Sequence, residues 1–120
     1  MRIDVVKDGI NTKINMAMTR GDTERVTLNI TNDGATYFFQ DGDKVYFTVK
    51  KSALFDAKVI QKLIMPTSGS EVEIIINPED TKSLAFGEYV YDIQLTKHDG
   101  EVTTVIPYSD FIIREEVTHE

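Results

Sequence analysis

The sequence contains no cysteine and no tryptophan, and only two histidines and three prolines in 120 residues. Without cysteine there is no disulfide, no thiolate metal site and no cysteine nucleophile. The fold must stand on its hydrophobic core alone. No stretch approaches the roughly 20 apolar residues needed to cross a bilayer. The start, Met1-Arg2-Ile3-Asp4-Val5-Val6-Lys7-Asp8, lacks the apolar run of a signal peptide, so synthesis in the cytoplasm is expected. Positive charge is scarce too: 13 basic residues face 20 acidic ones, for a net charge of −7. Lysine and arginine show no strong clustering. A field of that sign repels phosphate backbones and anionic membrane surfaces, so neither nucleic acid nor membrane is an expected partner.

What is present is a globular composition, 41% hydrophobic and 28% charged. The length fits one domain, residues 1–120, which should bury about two-thirds of its unfolded surface. The dominant pattern is alternation with period two. Arg2 to Val6 is a short β-prone run closed by Asp8-Gly9. Lys13 to Met18 alternates Ile14, Met16 and Met18 with polar or small neighbours, and after an Arg20-Gly21-Asp22 turn, Thr23 to Ile30 places Val26, Leu28 and Ile30 on one face. Asn32-Asp33-Gly34 ends that strand. Ala35 to Asp43 reads as an irregular connection. Lys44 to Lys50 is the clearest strand of the first half, with Val45, Phe47 and Val49 facing in.

Ala57 to Met65 is ambiguous. Val59, Ile60, Leu63 and Ile64 fit helical spacing, yet the segment precedes a Pro66 to Ser70 loop and another β-rich run, which favours a strand. Glu71 to Ile76 alternates again. Asn77-Pro78-Glu79-Asp80 has the residues of a helix start: a plausible N-cap, proline at the first position, and carboxylates where the helix dipole favours them. Gly87 to Thr96 is a long alternating strand. Lys97-His98-Asp99-Gly100 is a hairpin turn with the favoured Asp-Gly pair. Glu101 to Ile106 returns, Pro107 interrupts, and Ser109 to Arg114 runs out again. About eight short strands with one short helix argue for an all-β sandwich or barrel.

Gly87-Glu88-Tyr89-Val90-Tyr91 follows the short helix and opens a long strand. That is the place and spacing of a tyrosine corner, with Tyr89 as the corner residue. Tyr91 then stands where an immunoglobulin domain carries its second cysteine. The fold expected is an immunoglobulin-like antiparallel β-sandwich without cysteine.

The layout also resembles a family: the small β-sandwich domain at the N-terminus of upper baseplate proteins in phages and prophages of Gram-positive bacteria. The residues that carry the resemblance are Arg20-Gly21-Asp22-Thr23, Gly42 to Lys50, Pro78-Glu79-Asp80-Thr81 with Leu84, Gly87 to Ile93, and Phe111-Ile112-Ile113 leading to Glu116-Val117-Thr118. Together they span roughly residues 15 to 118. Each is loose alone, and their order and spacing make the likeness. The resemblance implies a non-enzymatic tail or baseplate component that docks with other tail subunits, as repeated copies in the assembly, and ends up in the virion. In the family the domain presents further domains that meet the host surface. This chain stops where the domain would end, so no receptor-binding or helical extension is expected.

Candidate chemistry is thin. His98 lies in the hairpin turn and His119 is next to last, and two distant histidines without cysteine do not make a tetrahedral zinc set. Asp41-Gly42-Asp43 and Asp8-Gly9 have the look of calcium loops but lack the alternating acidic ligands and closing glutamate, and Asp-Gly is the default turn pair. Arg20-Gly21-Asp22 spells an adhesive tripeptide, yet its glycine and aspartate also suit a turn entering a strand. No Gly-x-Ser-x-Gly elbow, phosphate loop or dinucleotide fingerprint is present. No catalytic, cofactor-binding or metal residues are therefore expected.

Contact residues are the better candidates. Tyr37-Phe38-Phe39 cannot all face one side of a strand, so at least one is available as an interface anchor, although a loop plug over the sandwich end is the plainer reading. Val90, Val105 and Ile112 stand out of phase with their inward neighbours and suggest a partly covered outer face; a twisted sheet could equally bury them within the domain. The alternative function is a carbohydrate-binding module that recognises a bacterial surface glycan through exposed aromatics such as Tyr37, Tyr46 and Tyr108.

Overall fold

A computed structural model describes residues 1–7, 13–32, 34–54 and 57–117. Two sheets pack face to face. The first carries β1 (Arg2–Lys7), β3 (Glu24–Asn32), the two-residue β4 (Ala35–Thr36) and β7 (Glu71–Ile76). In it β3 is central, paired with β1 on one side and with β7 and β4 on the other. The second sheet has the order β2 (Met16–Thr19), β9 (Val102–Arg114), β8 (Gly87–Thr96), β5 (Lys44–Lys50) and β6 (Lys58–Ile64). A five-residue helix, α1 (Pro78–Lys82), links β7 to β8.

The alternation read from the sequence is what fills the space between the sheets. Val26, Leu28, Ile30, Val72, Ile74 and Ile76 are buried on one side. Val45, Phe47, Val49, Ile93, Leu95, Phe111 and Ile113 are buried on the other. Phe47, Tyr91 and Phe111 pack as an aromatic trio with ring centroids 5.4 to 6.2 Å apart. Each such side chain stabilises the fold by about 1.5–3 kcal/mol through burial.

Four expectations need correction. First, the sandwich is not antiparallel throughout: β1 runs parallel to β3, and β2 runs parallel to β9. The N-terminal segment adds to the first sheet and then to the second, so no hairpin dictates its direction. Second, Lys13 to Asn15 is not strand; β2 begins only at Met16, because both backbone groups of Ile14 are held by side chains. The Ile14 N–H donates to Ser109 Oγ at 3.0 Å and its carbonyl accepts from the Tyr91 hydroxyl. Third, Ala35–Thr36 pairs with the end of β3, so the connection after it is shorter than expected.

Fourth, Pro107 does not divide the last strand. β9 continues through it because the ladder to β8 shifts register there. One extra β9 residue lies between the pairs Gln94–Thr104 and Ile93–Ile106, and another between Ile93–Ile106 and Tyr91–Ser109. Such bulges leave residues out of the ladder, which is where a residue without an N–H is tolerated.

The ambiguous segment is an edge strand, β6, and its helical look has a cause. Lys62 lies opposite the inward Phe47, so a charge interrupts the apolar alternation. Its ammonium reaches Asp80 of α1 at 2.7 Å. An inward-pointing charge on an edge strand also discourages pairing with stray strands. Asp80 accepts the Asn77 N–H as well, closing the helix start expected from the sequence.

Candidate functional site

The connection from Tyr37 to Asp43 is built around one carboxylate. Asp43 is fully buried. It accepts from the Tyr37 hydroxyl at 2.6 Å, the Gln40 N–H at 3.0 Å and the His98 N–H at 2.8 Å, and its Oδ1 lies 3.3 Å from His98 Nδ1. Burial alone would raise its pKa, but the hydrogen bonds from Tyr37, Gln40 and His98 outweigh it and hold the carboxyl below its usual range. The Tyr37 phenol is pushed well up, first by burial and then by Asp43. Gly42 has a φ of +96°, and a Cβ there would come within 3.0 Å of the His98 Cβ. The connection and the hairpin turn are thus pressed together at a point that only glycine fits.

This arrangement separates the aromatic triplet. Phe39 is buried in the core and its N–H donates to the Gly69 carbonyl. Tyr37 is half-buried, edge-on to Phe39 and with Lys97 over its ring. Only Phe38 projects, 64% exposed. Phe39 is therefore not available as an interface anchor. Met65 and Val102 are also largely exposed. Met65 follows β6 and Val102 opens β9, beside the connections that the Phe39–Gly69 and Asp43–His98 hydrogen bonds gather at the same end of the sandwich.

Of the three out-of-phase residues, Val105 is buried. It is the extra residue of the first bulge, so Val105 and the adjacent Ile106 both turn inward. Val105 leaves the list of contact candidates for that reason. Val90 and Ile112 are half-buried on the outer face of the five-stranded sheet. That face continues through Tyr46, Thr48 and Lys50 of β5, Asp92 and Gln94 of β8, and Tyr108 of β9. Two shallow clefts, of about 200 and 290 Å³, lie there and share Thr48, Lys50 and Asp92. The outer face of the other sheet is ionic, with Arg2–Glu71 and Arg25–Glu73 pairs at 2.8 and 2.9 Å.

Several residues singled out in the sequence hold the fold together. The Tyr89 hydroxyl donates to the Ala85 carbonyl, four residues upstream, at 2.6 Å. That is the geometry of a tyrosine corner, closing the passage from α1 into β8. Arg20 grips Glu116 through Nε and a terminal nitrogen, donates to the Leu84 carbonyl, and lies over Phe86. The Gly21 N–H donates to the buried Thr81 hydroxyl. Arg20-Gly21-Asp22 is a structural turn whose arginine is committed.

The residues offer little for chemistry. The oxygens of Asp43 already face donors, which is the wrong environment for a cation. Among the described residues no group of three His, Asp or Glu side chains is placed to hold a metal. Asp8-Gly9 and His119 lie outside the described residues. His98 is more than a turn residue, since its ring and backbone both meet Asp43. The buried Ser109 hydroxyl is engaged by the Pro107 carbonyl and the Ile14 N–H. Two features escape the sequence reading. The His98 partner of Asp43 lies 55 residues away, and Asp92 is one more polar residue in an alternating strand. Neither leaves a local signal.

No protein-family model matches the sequence, and no curated protein matches it. Among solved structures, the chain is similar to the N-terminal domain of phage TP901-1 ORF48, with a TM-score of 0.55 over 94% of this chain and 96% of that one, at 9% identity. At that identity the likeness is one of fold: an all-β sandwich of a kind found in a phage protein.

Proposed function

We propose that this protein is a non-enzymatic structural component of a phage or prophage particle, placed at the tail or baseplate and acting through protein–protein assembly. The observation that carries this reading is the fold likeness to a phage protein domain over nearly the whole of both chains. The sequence motifs that resemble upper baseplate proteins point the same way. The buried polar side chains support it too: Asp43, Thr81 and Ser109 are all spent on tying connections together. The partners are other tail or baseplate subunits, with copies of this chain repeated around the symmetric assembly. The contact surface is the end of the sandwich where Phe38, Met65 and Val102 project, since exposed aromatic and apolar anchors dominate such interfaces. The chain is made in the cytoplasm and carried into the virion.

Mass spectrometry of purified tail particles from the encoding phage or induced prophage tests this directly. Recovery of the chain in fixed ratio to tail proteins is expected. Expression in the cell with absence from the particles would overturn it.

A further inference from the structure

The outer face of the five-stranded sheet carries a feature that assembly through the sandwich end leaves unused. Asp92 sits mid-strand on β8, half-buried, where the two clefts meet. Among the described residues its carboxylate has no hydrogen-bond or ion-pair partner, unlike Asp43 and Asp80. Burial pushes its carboxyl up, opposed by the charge of Lys50. A carboxylate that is partly desolvated and has no donor carries a cost that a ligand bearing hydroxyl or amide protons can relieve.

The surroundings narrow the ligand. Lys50, a donor, lines both clefts beside Asp92; Lys58 adds a second ammonium to the wider one, where Gln61 and Gln94 offer donor and acceptor together. Gln61 also donates to the Thr48 hydroxyl at 3.1 Å, which orients that part of the floor. Tyr108 borders one cleft and Tyr46 the other. Lys13 lies over the Tyr108 ring, 4.4 Å from its centroid, which steadies it. A charged ligand would meet a like charge either in Asp92 or in Lys50 and Lys58. A neutral polyhydroxylated ring instead satisfies both, with donors for Asp92, acceptors for Lys50, and C–H faces for the tyrosine rims.

We infer that the Asp92 cleft binds a neutral saccharide. Of the aromatics the sequence offers for such a role, Tyr46 and Tyr108 belong to this site, whereas Tyr37 is engaged by Asp43. The clefts are small and shallow, so they take one or two sugar units with an affinity in the millimolar range.

The test is a two-dimensional ¹⁵N–¹H NMR titration of the full chain with glucose, galactose, rhamnose and N-acetylglucosamine, each alone. At least one sugar should give saturable shifts confined to the amides of residues 46–50, 90–94 and 108. Asp92→Asn keeps the shape of the side chain and removes its charge, and it should weaken that binding at least tenfold. Tyr108→Ala should also weaken it, with the unliganded spectrum otherwise unchanged. Absence of saturable shifts with all four sugars overturns the inference. So does binding that Asp92→Asn leaves intact. Protection of this face from hydrogen exchange in assembled particles would show a protein subunit covering it instead, and would overturn the inference as well.

Discussion

Asp43 shows how a single residue can decide the conformation of a whole connection. Its carboxylate receives donors from Tyr37, Gln40 and His98, so Asp43→Ala leaves several donors facing a void. The expected loss is about 3 kcal/mol, measured as a lower urea midpoint at neutral pH with an unchanged slope. The same carboxylate gives the protein an acid limit. Its folded form is held below the usual range, so its contribution is complete above the unfolded value of about 3.9. The contribution fades as pH falls through the folded value. The gap in stability between the natural protein and Asp43→Ala should therefore narrow in acid. Tyr91 sets a limit at the other end. Burial pushes its phenol up to about 12, whereas an unfolded tyrosine ionises near about 10. Between those values the unfolded chain sheds the proton more readily, so stability present below the lower one is lost as pH rises through the higher. Tyr91→Phe should flatten that part of an alkaline unfolding curve. At neutral pH it should cost about 1–2 kcal/mol, because the Ile14 carbonyl loses its donor.

Among the elements, β5 and β9 are a contrast in legibility. β5 follows its alternation without interruption, and its inward residues were evident from the sequence. β9 carries two extra residues against β8, and past each one the phase of the alternation changes. A reader of the sequence sees Val105 on the wrong face and Pro107 as a break. In the folded protein both belong to one strand, with Val105 in the core. Val105→Ala should then cost about 2 kcal/mol by thermal or urea unfolding. Phe38→Ser should stay within about 0.5 kcal/mol of the natural protein, because Phe38 is largely exposed. The opposite ranking would mean that Phe38 packs within the domain and that Val105 faces solvent. β6 is a milder case, since one inward lysine answering Asp80 is enough to make a strand resemble a helix.

At the level of the whole molecule, the two outer faces differ in kind. One is laced by Arg2–Glu71 and Arg25–Glu73 pairs, exposed interactions each worth little to stability. The other holds Asp92 and its clefts, while Phe38, Met65 and Val102 project toward one end of the sandwich. If that end docks into a tail or baseplate, Phe38→Asp should leave the isolated domain as stable as before yet reduce its incorporation into particles by tenfold or more. Quantitative mass spectrometry of particles carrying the variant measures this. Unchanged incorporation would move the contact to another surface.

By itself the sequence determined the class of fold, the positions of the main strands, the short helix after Asn77 and the hairpin at Asp99-Gly100. All of these depend on periodicity and turn chemistry within a few neighbouring residues. Tertiary structure alone decided the parallel placement of β1 and β2, the continuity of β9 and which aromatics project. It also decided that Asp43 is saturated with donors while Asp92 has none among the described residues. Those outcomes depend on partners far apart in the chain: Asp43 with His98, Ile14 with Tyr91 and Ser109, Arg20 with Glu116. Asp43 and Asp92 end in opposite electrostatic states because burial and donors arrive from elsewhere in the fold.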